Sequence, residues 1–267
     1  MALDIKLSKL KEILGGLDGA VVAYSGGVDS SLLAFVTHQV LGERALAVTA
    51  VSPTYPRQQL DEAVTLARQL GMKHQIIETD EFEDAQFVAN TPDRCYYCKS
   101  ALFKELLRIK AENGFEAVLD GANVDDLGDH RPGHRAACEM GVRSPLQEAG
   151  LTKAEIRALA RQLELPVWDK PAYACLASRI PYGQSITPEA LQRIDEAERF
   201  LIQLGFTEFR VRDHFPIARV EIGQSQLDKA WAERRLISEE LHRLGFVYVT
   251  LDLDGFRSGS MNAVLNK

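Results

Sequence analysis

The sequence has little cysteine and no long apolar run. Only four of its 267 residues are cysteine, too few for the disulfide framework of a small secreted domain. No apolar stretch approaches the roughly 18 residues needed to cross a membrane. Residues 3–17 have the leucine spacing of an amphipathic helix and not the pattern of a signal peptide. We therefore expect a cytoplasmic protein with reduced thiols and no membrane contact.

An excess of basic residues is also missing. The chain has 31 lysines and arginines against 38 aspartates and glutamates, a formal net charge of −7. Proteins that wrap nucleic acid usually carry a basic footprint, so we expect no nucleic-acid partner. Internal repeats and low-complexity tracts are lacking too. The length suits one large domain or two moderate ones.

The first half of the chain alternates short apolar runs with helical apolar spacing. The predicted strands are Ala20–Tyr24, Ala45–Val51, His74–Glu78 and Ala117–Gly121, and the predicted helices are Ser31–Leu41, Leu60–Leu70 and Lys99–Asn113. This alternation predicts an α/β fold, a parallel sheet with helices on both faces. Ligands of such sheets bind at the carboxyl ends of the strands.

The second half predicts a smaller α+β domain. Proline and glycine punctuate residues 171–186, and we place the domain boundary between residues 175 and 176, giving domains of residues 1–175 and 176–267. The predicted elements that follow are the helix Pro188–Leu204 with Thr187 as N-cap, the strands Phe209–Arg212 and Ile217–Ile222, the helix Gln224–Leu244 and the strand Tyr248–Leu253.

A glycine-bearing loop follows the first predicted strand and opens a helix. Its residues are Ser25, Gly26, Gly27, Val28, Asp29 and Ser30. The glycines let the backbone approach an anion, and the helix start adds N–H groups and a positive dipole. A carboxylate beside phosphates suits a bound Mg²⁺, so Asp29 is the candidate magnesium ligand. The lysine of a Walker loop is absent. An ordinary strand-to-helix turn is the competing interpretation.

Three of the four cysteines suggest a metal or redox site. Cys95 and Cys98 form a Cys-x-x-Cys pair, whereas Cys175 stands alone. A thioredoxin-like pair lacks its fold context here, and a structural zinc site needs a fourth ligand, such as His130 or His134. Three thiolates could instead hold an iron–sulfur cluster with one iron open. Cys138 lies in a helical stretch and is predicted to be a small buried hydrophobe.

The loop resembles that of the PP-loop ATP pyrophosphatases, which have the adenine nucleotide alpha hydrolase-like fold and cleave ATP between the α and β phosphates. The segment from Asp120 to Asp126 resembles their second ATP-site segment. Longer strings resemble one family, the LarE sulfur transferases of nickel-pincer nucleotide biosynthesis. These strings are Tyr24–Ser30, Arg131–Gly133, Cys175–Gly183 and Leu251–Gly259. The resemblance covers residues 20–264.

The resemblance implies a reaction and its cofactors. LarE proteins adenylylate each carboxylate of pyridinium-3,5-biscarboxylic acid mononucleotide with ATP and Mg²⁺, then replace an oxygen with sulfur. One branch takes the sulfur from a single cysteine, which becomes dehydroalanine. The other branch holds a [4Fe-4S] cluster with three cysteines, and Cys95, Cys98 and Cys175 match it. A sulfide donor and a homo-oligomer, a hexamer in relatives, are implied partners.

The resemblance also assigns residues. It implies an ATP site made by Ser25, Gly26, Gly27, Val28, Asp29, Ser30 and Asp126. It implies a reactive centre made by Cys175, Arg179 and Glu198, and a substrate site made by Ser178, Arg179, Arg210, Arg212 and Glu221. Arg210 and Arg212 alternate on one predicted strand and so share a face. Without the resemblance, a solvated strand face is the simpler interpretation of these two arginines.

Three other functions compete. A PP-loop tRNA thiolase can also combine this loop with three cysteines, but the chain lacks a basic footprint. An amide-forming enzyme of the NAD-synthetase kind would leave the cysteines without a role. A non-catalytic nucleotide-binding regulator would release no pyrophosphate.

Overall fold

The computed structural model describes residues 2–128, 132–171 and 174–257. The chain forms two compact units. The first contains residues 1–52, 57–87 and 93–173, and the second contains residues 53–56, 88–92 and 174–267. Two short segments of the first half thus belong to the second unit. Of the predicted strings, His130 and Arg131 lie outside the described residues, as do Ser258 and Gly259.

Strands and helices alternate through the first unit. Its strands are β1 (Ala20–Ala23), β2 (Ala45–Val51), β3 (His74–Glu78) and β4 (Ala117–Leu119). Its helices are α1 (Ala2–Gly15), α2 (Val28–Leu41), α3 (Arg57–Gln69), α4 (Ala85–Val88, whose last residue enters the second unit), α5 (Arg94–Asn113), α6 (Pro132–Glu139), α7 (Pro145–Glu148) and α8 (Lys153–Gln162). Short 3₁₀ helices span Gly42–Arg44, Glu81–Glu83 and Val124–Gly128.

The predicted parallel sheet with helices on both faces is confirmed. The strand order is β3-β2-β1-β4, and each pair is parallel. Along β1, Ala20 and Val22 belong to the core formed with α1, α2 and α8, whereas Val21 belongs to the core formed with α5 and α6. Successive strand residues point to opposite faces, so one short strand supplies both cores.

The second unit is a separate small α+β layer. A 3₁₀ helix, Leu176–Arg179, precedes α9 (Pro188–Gln203), which is followed by β5 (Phe209–His214), β6 (Ile217–Ile222), the 3₁₀ helix Gln224–Gln226, α10 (Leu227–Ala232), α11 (Arg234–Arg243) and β7 (Tyr248–Leu251). The sheet order is β5-β6-β7, with β5 antiparallel and β7 parallel to β6. The predicted N-cap is confirmed, because the Thr187 side chain accepts from the backbone N–H of Ala190.

Three element boundaries differ from the prediction. The predicted helix Gln224–Leu244 is two helices, because the backbone of Glu233 (φ −85°, ψ 3°) ends α10 and begins α11. Helix α5 begins at Arg94 and not near Lys99, so both cysteines of the Cys-x-x-Cys pair are helical. Strand β5 continues to His214.

Among the described residues, no helix is both long enough and apolar enough to cross a membrane.

His74 on β3 gives the first unit a predicted pH dependence. Its Nε2 lies 2.8 Å from Thr49 Oγ1, and its ring meets Tyr24 edge-on at 5.4 Å. Burial lowers the pKa of His74 below its ordinary value. The unfolded chain then takes up this proton at higher pH than the folded chain, so stability is lost as pH falls below about 6.5. Urea unfolding at about pH 8 and about pH 5.5 should show a smaller acid loss for His74→Gln than for wild type. Equal losses in both proteins would contradict this role.

Candidate active site

The glycine loop after β1 is held open by a close backbone approach. Gly26 has φ +65°, and a Cβ there would lie 2.8 Å from the Cβ of Ala63. Only glycine accommodates both the left-handed backbone and the neighbouring helix α3. Gly27 is the N-cap of α2 and has no side chain, so the first N–H groups of the helix remain available to an anion.

Two serines brace this loop from within. The backbone N–H of Ser25 donates to Ser30 Oγ at 3.1 Å, and the two hydroxyl oxygens also lie 3.1 Å apart. Ser30 Oγ in turn donates to the carbonyl of Gly27 at 3.2 Å. The predicted cradle residues are therefore brought together by one strand-to-helix turn.

The second predicted ATP segment lies beside the loop. A Cβ on Gly121 would approach the backbone N of Ser30 to 3.1 Å, which places the end of β4 against the start of α2. Asp120 Oδ1 accepts from Ser144 Oγ at 2.7 Å, and Asp126 Oδ2 accepts from the N–H of Asn123 at 2.9 Å. These aspartates order a turn at the carboxyl edge of the sheet, where ligands of such folds bind.

Two lysines at the loop escape sequence reasoning. Lys153 Nζ forms a close ion pair with Asp29 Oδ2, and Lys170 Nζ donates to the carbonyl of Gly26 at 3.1 Å and pairs with Glu62 at 2.8 Å. Both are far from the loop in sequence. One local signal existed, since Lys153 is the first residue of α8 and the helix dipole disfavours a cation there.

The Cys-x-x-Cys pair lies in the first turns of α5. Cys95 is exposed and Cys98 half-buried, and their i, i+3 spacing puts both thiols on one helix face. Cys175 is exposed in the second unit. Among the residues that the structure describes, no group of three or more His, Cys, Asp or Glu is placed to hold a metal ion.

The prediction for Cys138 is wrong. Its side chain is exposed on α6, and its Sγ lies 3.6 Å from Nδ1 of His134. The neighbouring Ala136 and Ala137 supply the buried face of α6 instead. The short helix has too few apolar residues for its spacing to show which face is buried.

A buried arginine organises the turn at Cys175. Arg179 is fully buried, and its guanidinium forms a two-pronged pair with Glu198, at 2.9 Å and 2.8 Å. Its Nη1 donates to the carbonyls of Ala174 at 2.6 Å and Cys175 at 3.0 Å, and to Ser178 Oγ at 2.9 Å. The rigid fork thereby fixes the backbone beneath an exposed thiol.

The predicted arginines of β5 share a face with residues of β6. Arg210 lies opposite Glu221, and Arg212 lies opposite Arg219. Arg212 is buried, donating to Glu221 at 2.8 Å and to the carbonyl of Ser178 at 2.9 Å. Arg219 also pairs with Glu221, at 2.9 Å. A solvated strand face is thus excluded for Arg212. Sequence reasoning missed Arg219, although its i, i+2 spacing from Glu221 is the same signal.

The electrostatics of this face are positive. His214 is the third residue of β5 on the same side as Arg210 and Arg212. Burial lowers its pKa, and the positive charges of Arg219 and Arg212 lower it further, against the opposing effect of Asp213 and Glu221. Three arginines around one carboxylate leave a net positive face that suits a phosphate or carboxylate ligand.

Comparisons with known proteins place the chain in a family. Residues 8–107 match the NAD synthase family model. An uncharacterised protein of Synechocystis is 45% identical over 99% of this chain and 100% of its own length. The pyridinium-3,5-bisthiocarboxylic acid mononucleotide synthase of Lactiplantibacillus plantarum is 41% identical, over 99% of this chain and 96% of that protein. The tRNA-specific 2-thiouridylase MnmA of Rickettsia peacockii is 30% identical over 76% of this chain and 65% of its own length. The two near-full-length matches show that the chain belongs to the LarE family, that of the pyridinium-3,5-bisthiocarboxylic acid mononucleotide synthases.

Proposed function

We propose that this chain is an ATP-dependent sulfurtransferase that converts the carboxylates of pyridinium-3,5-biscarboxylic acid mononucleotide into thiocarboxylates. The observation that carries the proposal is the 41% identity to a synthase of that product over nearly the whole chain. The product named there contains sulfur where its biscarboxylic precursor contains oxygen. The chain would act in the cytoplasm as a homo-oligomer, a hexamer by resemblance, and would receive sulfur from a sulfide donor.

The first unit would activate the carboxylate. A substrate carboxylate oxygen attacks the α-phosphorus of ATP, pyrophosphate leaves, and the acyl adenylate forms. The residues from Ser25 to Ser30, with Asp126 of the second segment, would hold the phosphates. Asp29 suits Mg²⁺, because its Oδ1 is buried and has no hydrogen-bond partner in the described part of the chain. Bound there, Mg²⁺ would neutralise the charge of the phosphates.

The second unit would present the acceptor and complete the exchange. Its arginine face, with Arg210, Arg212 and Ser178, would bind the anionic groups of the mononucleotide. Sulfur then attacks the carbonyl carbon of the adenylate, and AMP leaves with the oxygen. Arg179 and Glu198 would hold the turn of Cys175 during this step. Their mutual contacts at 2.8 Å and 2.9 Å support positioning as their role.

The three cysteines would provide the sulfur. Cys95 and Cys98 share one helix face and are suited to bind the same iron–sulfur group, with Cys175 as the third thiolate. Bound there, a [4Fe-4S] cluster would supply sulfide at an iron that has no cysteine ligand. The family's other route would instead consume the sulfur of Cys175 itself.

An anaerobic iron and sulfide assay distinguishes these two sources. We expect brown protein with about four irons per chain, as a cubane cluster contains. The Cys138→Ala variant is the matched control and should keep its iron, whereas Cys98→Ala should lose it. Colourless wild-type protein that contains zinc and no iron would contradict the cluster.

The acceptor needs its own test. Wild-type protein with ATP, Mg²⁺ and the mononucleotide should release pyrophosphate, and mass spectrometry should detect sulfur in place of a carboxylate oxygen. Sulfur found in added tRNA instead would support a tRNA thiolase. Amidation with ammonia would support the NAD-synthetase-like alternative.

A further inference from the structure

The ion pair between Lys153 and Asp29 gives a lysine to the phosphate loop that the loop's own sequence lacks. The Lys153 ammonium contacts Asp29 Oδ2, while Oδ1 of the same carboxylate is buried without a hydrogen-bond partner in the described residues. A buried carboxylate with one cation and one unsatisfied oxygen is suited to a second, divalent cation. Lys153 therefore occupies one side of the carboxylate that Mg²⁺ would bind.

The base of Lys153 is fixed while its side chain is long. Its backbone N–H donates to Asp125 Oδ2 at 2.8 Å, and the Thr152–Glu155 capping box fixes the start of α8. The ammonium is carried on four methylenes and is about one-third exposed. A charge of this kind can move several ångströms while its backbone stays in place.

We propose that Lys153 exchanges partners during the cycle, from Asp29 in the nucleotide-free chain to the departing pyrophosphate when Mg²⁺-ATP binds. This inference rests on the proposed ATP-dependent function. Mg²⁺ that arrives with the nucleotide takes the Asp29 carboxylate, and the released ammonium contacts the β and γ phosphates. Lys153 would thus do at a distance in sequence what the lysine of a Walker loop does locally. It would also keep Asp29 neutralised between turnovers.

Ligands that differ in their phosphates test this exchange. Calorimetric titrations of the full chain with ATP, pyrophosphate and AMP should show a selective loss in Lys153→Met. ATP and pyrophosphate should bind about 10- to 100-fold more weakly, the weight of one charged hydrogen bond. AMP lacks the β and γ phosphates, so its affinity should change less than about twofold. Lys153→Arg should recover part of the pyrophosphate affinity.

The matched control is Lys6→Met. Lys6 also pairs with α8, through Glu155 at 2.7 Å, but it does not contact the loop. Its removal should leave all three ligands bound as in wild type. As a second measurement, Mn²⁺ should bind nucleotide-free Lys153→Met more tightly than wild type, because Asp29 has lost its competing cation.

Each result decides the question. Equal weakening of AMP and pyrophosphate would mean that Lys153 only supports the fold of the site, and unchanged pyrophosphate binding would overturn the exchange outright. Both outcomes leave the proposed function standing if wild-type protein binds ATP and transfers sulfur. Wild-type protein that binds ATP but transfers no sulfur would overturn the function and not the exchange. Wild-type protein that binds neither ATP nor pyrophosphate would overturn both.

Discussion

Replacing Cys175 with alanine should lower sulfur transfer by on the order of 1,000-fold or more, the usual scale for losing an essential nucleophile or its ligand. Pyrophosphate release in the presence of the mononucleotide should persist, because the phosphate loop lies in the first unit and Cys175 in the second. The exposed thiol makes few packing contacts, so the free energy of unfolding should change by less than about 0.5 kcal/mol. Separate assays of pyrophosphate and thiocarboxylate test both halves.

The four cysteines supply their own controls for this experiment. Cys138→Ala removes another exposed thiol and should leave sulfur transfer as in wild type. Cys98→Ala should abolish transfer if a cluster delivers the sulfur. If transfer survives in Cys98→Ala but not in Cys175→Ala, the sulfur comes from Cys175 itself, and its mass should fall by one sulfur after turnover. Full transfer by Cys175→Ala would overturn both routes.

The sheet was predictable because its information is local. Buried strands such as Ala45–Val51 are continuous apolar runs, and their bounds agree with the prediction, as do those of His74–Glu78. The phosphate loop was predictable for the same reason, since its glycines, serines and aspartate are consecutive. Boundaries failed where periodicity carried no signal, as at Glu233, where an amphipathic pattern continues across a helix break.

The polar network around the site was not predictable from residue spacing alone. Lys153 reaches Asp29 across 124 positions, and Arg179 reaches Glu198 from a different element. Such pairs depend on how elements pack, which one sequence does not encode as a period or a motif. The resemblance supplied Arg179 and Glu198 as important residues, whereas their contacts with each other and with the Cys175 carbonyl came only from the structure.

The Glu198 carboxylate should be the most sensitive single group in the second unit. It accepts two hydrogen bonds from the fully buried Arg179 and one from the N–H of Val211 at 3.1 Å. Glu198→Ala leaves a buried guanidinium without its counter-charge, which costs about 3–5 kcal/mol of stability. Urea unfolding monitored by circular dichroism measures this loss. Glu196→Ala, on the exposed face of the same helix, is the control and should cost less than about 0.5 kcal/mol.

The isosteric variant separates positioning from chemistry. Glu198→Gln keeps the shape and an acceptor oxygen but removes the charge and the ability to exchange a proton. If Glu198 acts by holding Arg179 and the Cys175 turn, sulfur transfer in the Gln variant should fall in proportion to its stability, and pyrophosphate release should continue. A well-folded Glu198→Gln protein that still makes adenylate but transfers no sulfur would instead make the carboxylate a participant in the reaction. The change in pH dependence of transfer between wild type and Glu198→Gln then identifies the proton that it moves.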